Sequence, residues 1–475
     1  MKKCVAVTFA ILASALVWSG SSVNAEQPAA SGAAPTFTKD IAPIFYANCT
    51  SCHRPGEIAP MSLMTYKDAR PWAKAIATKV ADGTMPPWHA DPKHGTFVGA
   101  RSLTDAQKST IAKWVGAGAP EGKAADLPAA PVYTDGWNIE PDVVLSMQED
   151  YPIPATGEVP YQYLEVPANF AEDRYISDWE FRPGDPRAVH HMLLYLKAPK
   201  EVAEAQMKRQ QQAMLNRMFG PKPAAGGPAP VPPFEFRCCV EIPAGESGGR
   251  PLPLDQRPDL GPNYRPRPLG MAQGMGGFSP GGSIRHFPEG MGMRIPAGYS
   301  LVFQMHYTSY GKATTDRSTI GLKFHKTPPK TILNTLALIN ASLSIPPGAP
   351  DYTIDNAMTF NRETVIYSLI PHTHVRGTGW HYEAIYPDGR KEVILSVPKY
   401  DFNWQHEYVF AQPLRMPAGS KLYAKAWYDN SPRNKSNPDA TKTVTWGDQT
   451  WEEMMYTSIT FSMPPAPTPT ARQQN

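Results

Sequence analysis

Two histidines one residue apart, His372 and His374, end the run Ser368-Leu369-Ile370-Pro371-His372-Thr373-His374. The stretch leading to them is apolar and rich in β-branched residues, which predicts a strand. Alternate strand residues share a face, so both imidazoles point one way and Thr373 the other. Two imidazoles on one face are half of a metal site. Such a pair on its own serves equally well as surface histidines. The chain, however, holds a second pair, His190-His191, a further histidine in Gln304-Met305-His306-Tyr307, and a late Met454-Met455 that offers a thioether ligand.

A different chemistry is written at Cys49-Thr50-Ser51-Cys52-His53. C-x-x-C-H is the attachment signature of a c-type haem: two thiols bond the vinyl groups and His53 becomes the proximal iron ligand. A redox C-x-x-C with an incidental histidine is the alternative. Candidates for the sixth ligand are Met61, Met64 and Met85. Met85 is preferred, because the prolines of Met85-Pro86-Pro87-Trp88 deny it a helix and suit a loop crossing the far face of the haem. His89 comes next, and an open coordination position is the third reading.

These residues need supports. A chain of 475 residues exceeds one ordinary core. Residues 1–25 read as a secretory signal, with Lys2 and Lys3, an apolar stretch from Val5 to Val17, and Val23-Asn24-Ala25 at the cut. That stretch is too short for a span, so the expectation is a periplasmic or secreted protein with no membrane span after cleavage. Residues 26–35 form a flexible lead. A helical pattern at 37–48 and a Thr104-capped helix at 104–116, with Ile111, Trp114 and Val115, bracket a small haem domain over 36–125. An Ala-, Pro- and Gly-rich linker follows at 126–138.

Beyond it the pattern changes. The 52 prolines favour short strands and turns. β-type runs recur at 143–145, 161–166, 191–195, 299–306 and 318–324, then at 364–374, 379–386, 392–397, 421–428 and 454–461. They predict sandwiches at 139–332 and 333–464. An insertion at 200–285 holds a helix at 201–218, then Pro-, Gly- and Met-rich chain with no strand or helix period. Residues 465–475 read as a disordered tail. A net charge of +3 without a basic tract argues against nucleic acid. Cys238 and Cys239 are open to three readings: a vicinal disulfide, copper binding, or free thiols. His286, His325, His381 and His406 read as surface or capping residues, and so do His89 and His94 unless they border the haem.

The segment 36–125 resembles a class I cytochrome c. Over 140–464, five motifs in order are similar to the copper type II, ascorbate-dependent monooxygenases, the family of peptidylglycine alpha-hydroxylating and dopamine beta-monooxygenase. They are His190-His191-Met192-Leu193-Leu194-Tyr195, Gln304-Met305-His306-Tyr307, Ile345-Pro346-Pro347-Gly348, His372-Thr373-His374 and Glu452-Glu453-Met454. The resemblance implies two tandem sandwiches with one copper each. His190, His191 and His306 would bind the electron-storing copper, and His372, His374 and Met454 the oxygen-activating one. Imidazoles suit copper in both redox states and a thioether favours Cu(I). Met454 and Met455 are strand neighbours, so only one can face the metal, and the acidic-Met order favours Met454. The chain departs from the peptide enzyme at Ile370, where that enzyme has an arginine. It departs again at Tyr456 and Ser458, in place of a substrate-binding asparagine and tyrosine. Both changes argue against a peptide C-terminus as substrate.

The expectation is therefore a multidomain chain: a small all-α cytochrome c domain, then two all-β antiparallel, jelly-roll-like sandwiches. Its reaction would be hydroxylation of a C–H bond of a small organic molecule with O2. Electrons would pass from a periplasmic donor through one covalent haem c to two copper ions. Chain order sets the haem domain directly before the sandwich of His190, His191 and His306, which predicts electron entry there. The rivals are a cytochrome-fed copper reductase or oxidase of a small inorganic molecule, and a non-enzymatic electron carrier.

Overall fold

The computed structural model describes residues 34–133, 136–219 and 257–464, apart from positions 258, 259, 262, 269, 281 and 283. The signal, the tail at 465–475 and Cys238-Cys239 lie outside the described residues. β-strands are the predominant elements of the described chain, preceded by a module of short helices. In that module Phe37–Ile41 runs into Ala42–Asn48, and Phe37, Ile41 and Phe45 meet Ile76, Val80, Ile111 and Trp114 in one small core. Thr104 caps the helix Asp105–Gly116 in a full capping box with Gln107.

Two larger cores lie between sheets. In the first, strands Gln162–Val166, Ser300–Tyr307, Val189–Lys197 and Met271–Phe278 form one sheet. Trp179, Phe181, Met192, Leu194, Phe303 and Met305 fill the core behind it. In the second, the sheet of Tyr352–Thr359, Lys421–Tyr428, Gly377–Ile385 and Lys391–Val397 encloses Leu369, Trp380, Tyr382, Tyr428 and Phe461. Lys421–Tyr428 alternates buried and more exposed residues along its length, as a strand with one solvated face must.

The opposing sheet is common to both cores. Its nine strands run through from one half to the other where Thr331–Ile339 pairs parallel with Met291–Ile295. The division at 332/333 thus falls inside a shared strand, and backbone hydrogen bonds fuse the halves. Arg285 and Glu407 add an ion pair across the join.

Three expectations change. The insertion contains the helix Lys200–Phe219, but Met271–Phe278 is a strand, contrary to the aperiodic reading. Glycines hide the alternation. At Gly276 and Gly277 an added Cβ would come within 3.2 Å of Trp179 and 2.8 Å of Leu193, so close packing excludes a side chain there. The linker is tied at both ends. Tyr133 places its hydroxyl 2.7 Å from Thr50 Oγ1. Asn138 and Ile139 donate their backbone N–H groups to the Glu180 carboxylate. Finally, the helical module is stitched to the second sandwich as well as leading into the first. Val98 N donates to Val409 O, Ala411 N to Thr96 O and Asp91 N to Ser396 O, each at 2.8 Å. Trp88, Ala90 and Phe97 join the second core. Among the described residues no helix is long and apolar enough to cross a membrane.

Candidate metal centre

Strand Val189–Lys197 pairs antiparallel with Ser300–Tyr307, setting Val189 opposite Tyr307 and His191 opposite His306. His190 is the extra residue between them, a β-bulge. Neighbours on a regular strand face opposite ways, but here the rings of His190 and His191 lie 4.2 Å apart. The His191 and His306 rings are 5.9 Å apart, and His306 lies flat on Tyr161 at 3.5 Å.

The second pair is built differently. Strand Thr364–His372 stops at His372, and His374 lies in the turn closed by Gly377 N on the His374 carbonyl. Strand alternation therefore does not bring these two together, yet their rings meet at 5.1 Å, almost perpendicular. The turn is held by Glu453. Its buried carboxylate accepts the backbone N–H groups of His374, Arg376 and Met454 at 2.6, 2.9 and 2.9 Å. One side chain thus fixes the histidine turn against the segment that carries the methionines. That segment precedes the strand Tyr456–Ser462. Met455 is consumed by the second core, whereas Met454 is half-buried and outside it. Tyr456 stands 5.9 Å from the His372 ring, and Ile370 pairs across the sheet with Ser458.

The segment 400–407, of which the sequence reading singled out only His406, joins the two pairs. Phe402 lies 6.2 Å from His190, 6.4 Å from His191 and 6.2 Å from His374, ring to ring. The Tyr400 hydroxyl donates to the Thr373 carbonyl at 3.0 Å. Gln405 Oε1 accepts from His372 Nδ1 at 2.6 Å, its amide fixed in orientation because Nε2 donates to the Phe402 carbonyl. His406, read as a surface or capping residue, is only 7% exposed and packs 5.9 Å from Trp88. The only local signal was the aromatic density of Phe402-Asn403-Trp404, high for a loop. His286, His325 and His381 keep local roles, against Asp178, the Met291 carbonyl and Glu383.

Burial sets the electrostatics. Desolvation pushes His190 and His372 down to about 4, and His191, His306 and His374 well below the ordinary imidazole range. All are neutral at pH 7, the form that ligates metals. His372 and His374 carry their proton on Nδ1, facing Gln405 and, at 3.1 Å, the Glu452 carbonyl, so Nε2 holds the lone pair in each. His374 Nε2 and both ring nitrogens of His191 and His306 are buried without a hydrogen-bond partner. So many orphaned nitrogens in one place are costly to a protein interior, unless a cation takes their lone pairs. Among the described residues, no three His, Cys, Asp or Glu side chains gather around one point. The histidines come as pairs. Of the third donors expected from the sequence, Met454 is tied to the His374 turn by its backbone, through Glu453, and His190 bonds the Asn403 backbone and does not complete a three-histidine group with His191 and His306. Imidazole with thioether is a donor set that fits copper.

In the helical module, Cys49 and Cys52 are free thiols just past the Ala42–Asn48 helix, and burial followed by the Cys52 neighbour pushes Cys49 up to about 12. His53 Nδ1 lies 3.1 Å from the Met61 carbonyl, which leaves Nε2 uncommitted. This arrangement fits a covalent haem. It also brings the Met61 backbone to His53. Met85 lies in a loop, as expected, with its N–H on the Lys79 carbonyl.

No protein-family model matches the chain, and no curated protein matches it. Among solved structures, the chain overlaps weakly with infectious bursal disease virus Gx strain: 9% identity, TM-score 0.19, 71% of this chain and 76% of that one. The VP2 subviral particle of infectious bursal disease virus gives 10% identity and a TM-score of 0.16, over 70% of this chain and 74% of that one. Likeness at that level carries no argument about fold or function.

Proposed function

We propose that the chain is an exported copper monooxygenase that hydroxylates a C–H bond of a small organic substrate with O2, fed by a cytochrome c-like module at its own N-terminus. The observation that carries this reading is the buried meeting of two neutral histidine pairs across fused β-sandwiches. Glu453 ties the Met454 backbone to the His374 turn, and the C-x-x-C-H module docks on the same half. Copper on His372, His374 and Met454 and on His190, His191 and His306, with haem on Cys49, Cys52, His53 and Met85, would supply one-electron and oxygen chemistry that no side chain has. The protein's own residues do the rest. Gln405 and the Glu452 carbonyl hold the Nδ1 protons and aim each Nε2. Glu453 locks the methionine segment to the histidine turn. Phe402 and Tyr161 place aromatic rings 6.2 and 5.9 Å from His374, on the side of the other pair. Ile370, where the peptide enzyme has a carboxylate-gripping arginine, and Tyr456 would offer an apolar and an aromatic wall, which favours a substrate without a carboxylate.

The test is turnover with isotopically labelled dioxygen. Label in an organic product supports the reading. Label only in water points to an oxidase, and electron exchange without oxygen consumption points to a carrier. The same preparation should contain two coppers and one haem. X-ray absorption of the reduced protein should show a sulfur shell that Met454→Ala removes and Met455→Ala retains.

A further inference from the structure

We infer that the space between the two histidine pairs is a binding pocket for a flat apolar group the size of a benzene ring, and that Phe402 plugs it from a movable lid, residues 401–405. This names the class of substrate, and for the chemistry done there it rests on the copper reading above.

Phe402 sets one ring against imidazoles of both pairs, 6.2 Å from His190, 6.4 Å from His191 and 6.2 Å from His374. The contacts are tilted or edge-on, the arrangement in which aromatic rings pack. Any molecule that took its place would face rings from both halves at once. A phenyl group has no polar atom, so packing alone keeps it there. The occupant supplied by the chain itself is flat and apolar, and the space it fills suits a group of that kind. Phe402 is half-buried and Asn403 beside it is exposed, so the cover over the pairs on this side is a single layer of loop. Tyr161 makes the contrast. It too lies against both pairs, 3.5 Å from His306 and 5.9 Å from His374. Yet it is only 3% exposed, and its backbone N–H is bound to Gln449 Oε1 of the other half at 2.9 Å. Tyr161 is a fixed wall, and Phe402 is the ring that can leave.

The loop is built so that it can swing. Tyr400 N donates to the Thr378 carbonyl at 3.0 Å, and strand pairing resumes where Tyr408 stands opposite Leu369. Between them the backbone bonds its own loop: Trp404 N to Asp401 O, His406 N to Trp404 O, and Asn403 N to the Asp401 carboxylate. Among the described residues, 401–405 make no backbone-to-backbone bond to a neighbouring strand. Moving them about Tyr400 and His406 therefore breaks no sheet. What closes the lid is Gln405 Oε1 on His372 Nδ1 at 2.6 Å, the packing of Phe402 on the edge of the second core, and the Asn403 backbone on His190. The lid is latched to one histidine of each pair that it covers.

The test uses the full chain without copper, and toluene as the probe. Phe402→Ala should bind toluene about tenfold or more tighter than the wild type in calorimetry, because the wild type must first expel its own ring. In a chain with 4-fluorophenylalanine at position 402, toluene should move the fluorine resonance toward that of an exposed ring. Amides of 401–405 should exchange with solvent about tenfold or more faster than those of Tyr408–Met416. Equal toluene affinity in wild type and variant, binding to neither, or a fluorine resonance blind to toluene overturns the pocket. Exchange at 401–405 as slow as in the strand overturns the lid. Should Phe402→Ala fail to fold, Phe402→Leu keeps an apolar side chain, and the same titration should show a smaller gain; no gain overturns the pocket. A chain that binds toluene at Phe402 but takes up no copper overturns the functional reading and leaves the pocket standing. Normal copper uptake without toluene binding overturns this inference alone.

Discussion

The two histidine pairs are built by opposite means. His191 and His306 are cross-strand neighbours inside a regular sheet, and no hydrogen bond orients either ring; packing on Tyr161 does. His372 and His374 sit at a strand end and in a turn, and each is tied at Nδ1 while Glu453 grips the backbone between them and Met454. A sheet fixes Cα positions well but leaves ring rotation to packing. A turn fixes neither, and so needs the extra hydrogen bonds. The first pair is consequently oriented by packing alone, and the second by hydrogen bonds as well.

The largest test of that contrast is Glu453→Ala. Burial pushes this carboxyl up to about 7, and three backbone N–H groups lose their acceptor when it is removed. The cost should be on the order of 4 kcal/mol in denaturant unfolding. Copper should be lost from the His372 pair and kept at the His191 pair; equal loss from both would erase the distinction. Acid comes next. His190 and His372 titrate near 4 in the folded chain and near 6.5 when unfolded, so below pH 6.5 the unfolded state takes up protons that the native state refuses. Metal-free stability should therefore fall as pH drops, by about 3 kcal/mol from these two at pH 5.5. Unfolding curves of His190→Gln and His372→Gln should each lose about half of that slope. If one variant loses all of it, only one of the two pairs is dry.

Gln405→Leu removes the acceptor that orients His372 and should weaken copper at that pair by about 10- to 100-fold in competitive titration, without affecting the other. The smallest effect is expected from Tyr161→Leu, which removes the stack on His306. It should cost about 1 kcal/mol beyond lost burial and broaden the copper spectrum of the first pair, because no hydrogen bond holds that ring. A sharp, unchanged spectrum would mean the first pair is as rigid as the second.

Much of the fold was legible in the chain. The capped helix at Thr104, the strand Lys421–Tyr428 and the prominence of β-structure follow from local pattern, because capping and side-chain alternation act over a few residues. The glycine-rich strand Met271–Phe278 was not legible, since its sheet-forming surface is supplied by Trp179 and Leu193 from elsewhere. The histidines that meet were all nameable from sequence, but the argument that joined His372 to His374 was strand alternation, and the strand ends too early for it.

What the sequence determined by itself is the inventory of chemistry: paired imidazoles, a thioether, and two thiols with a histidine at fixed spacing. Such groups are set by residue type and short-range order. Tertiary structure alone decided how they are used. The bulge at His190 turns two neighbours to one side. The second core takes Met455 and leaves Met454. The segment 400–407 becomes the link between both pairs and the helical module, and the loop at 84–98 docks on the half that chain order passes over. Each of these depends on packing between residues far apart in the chain, and no local window carries that energy.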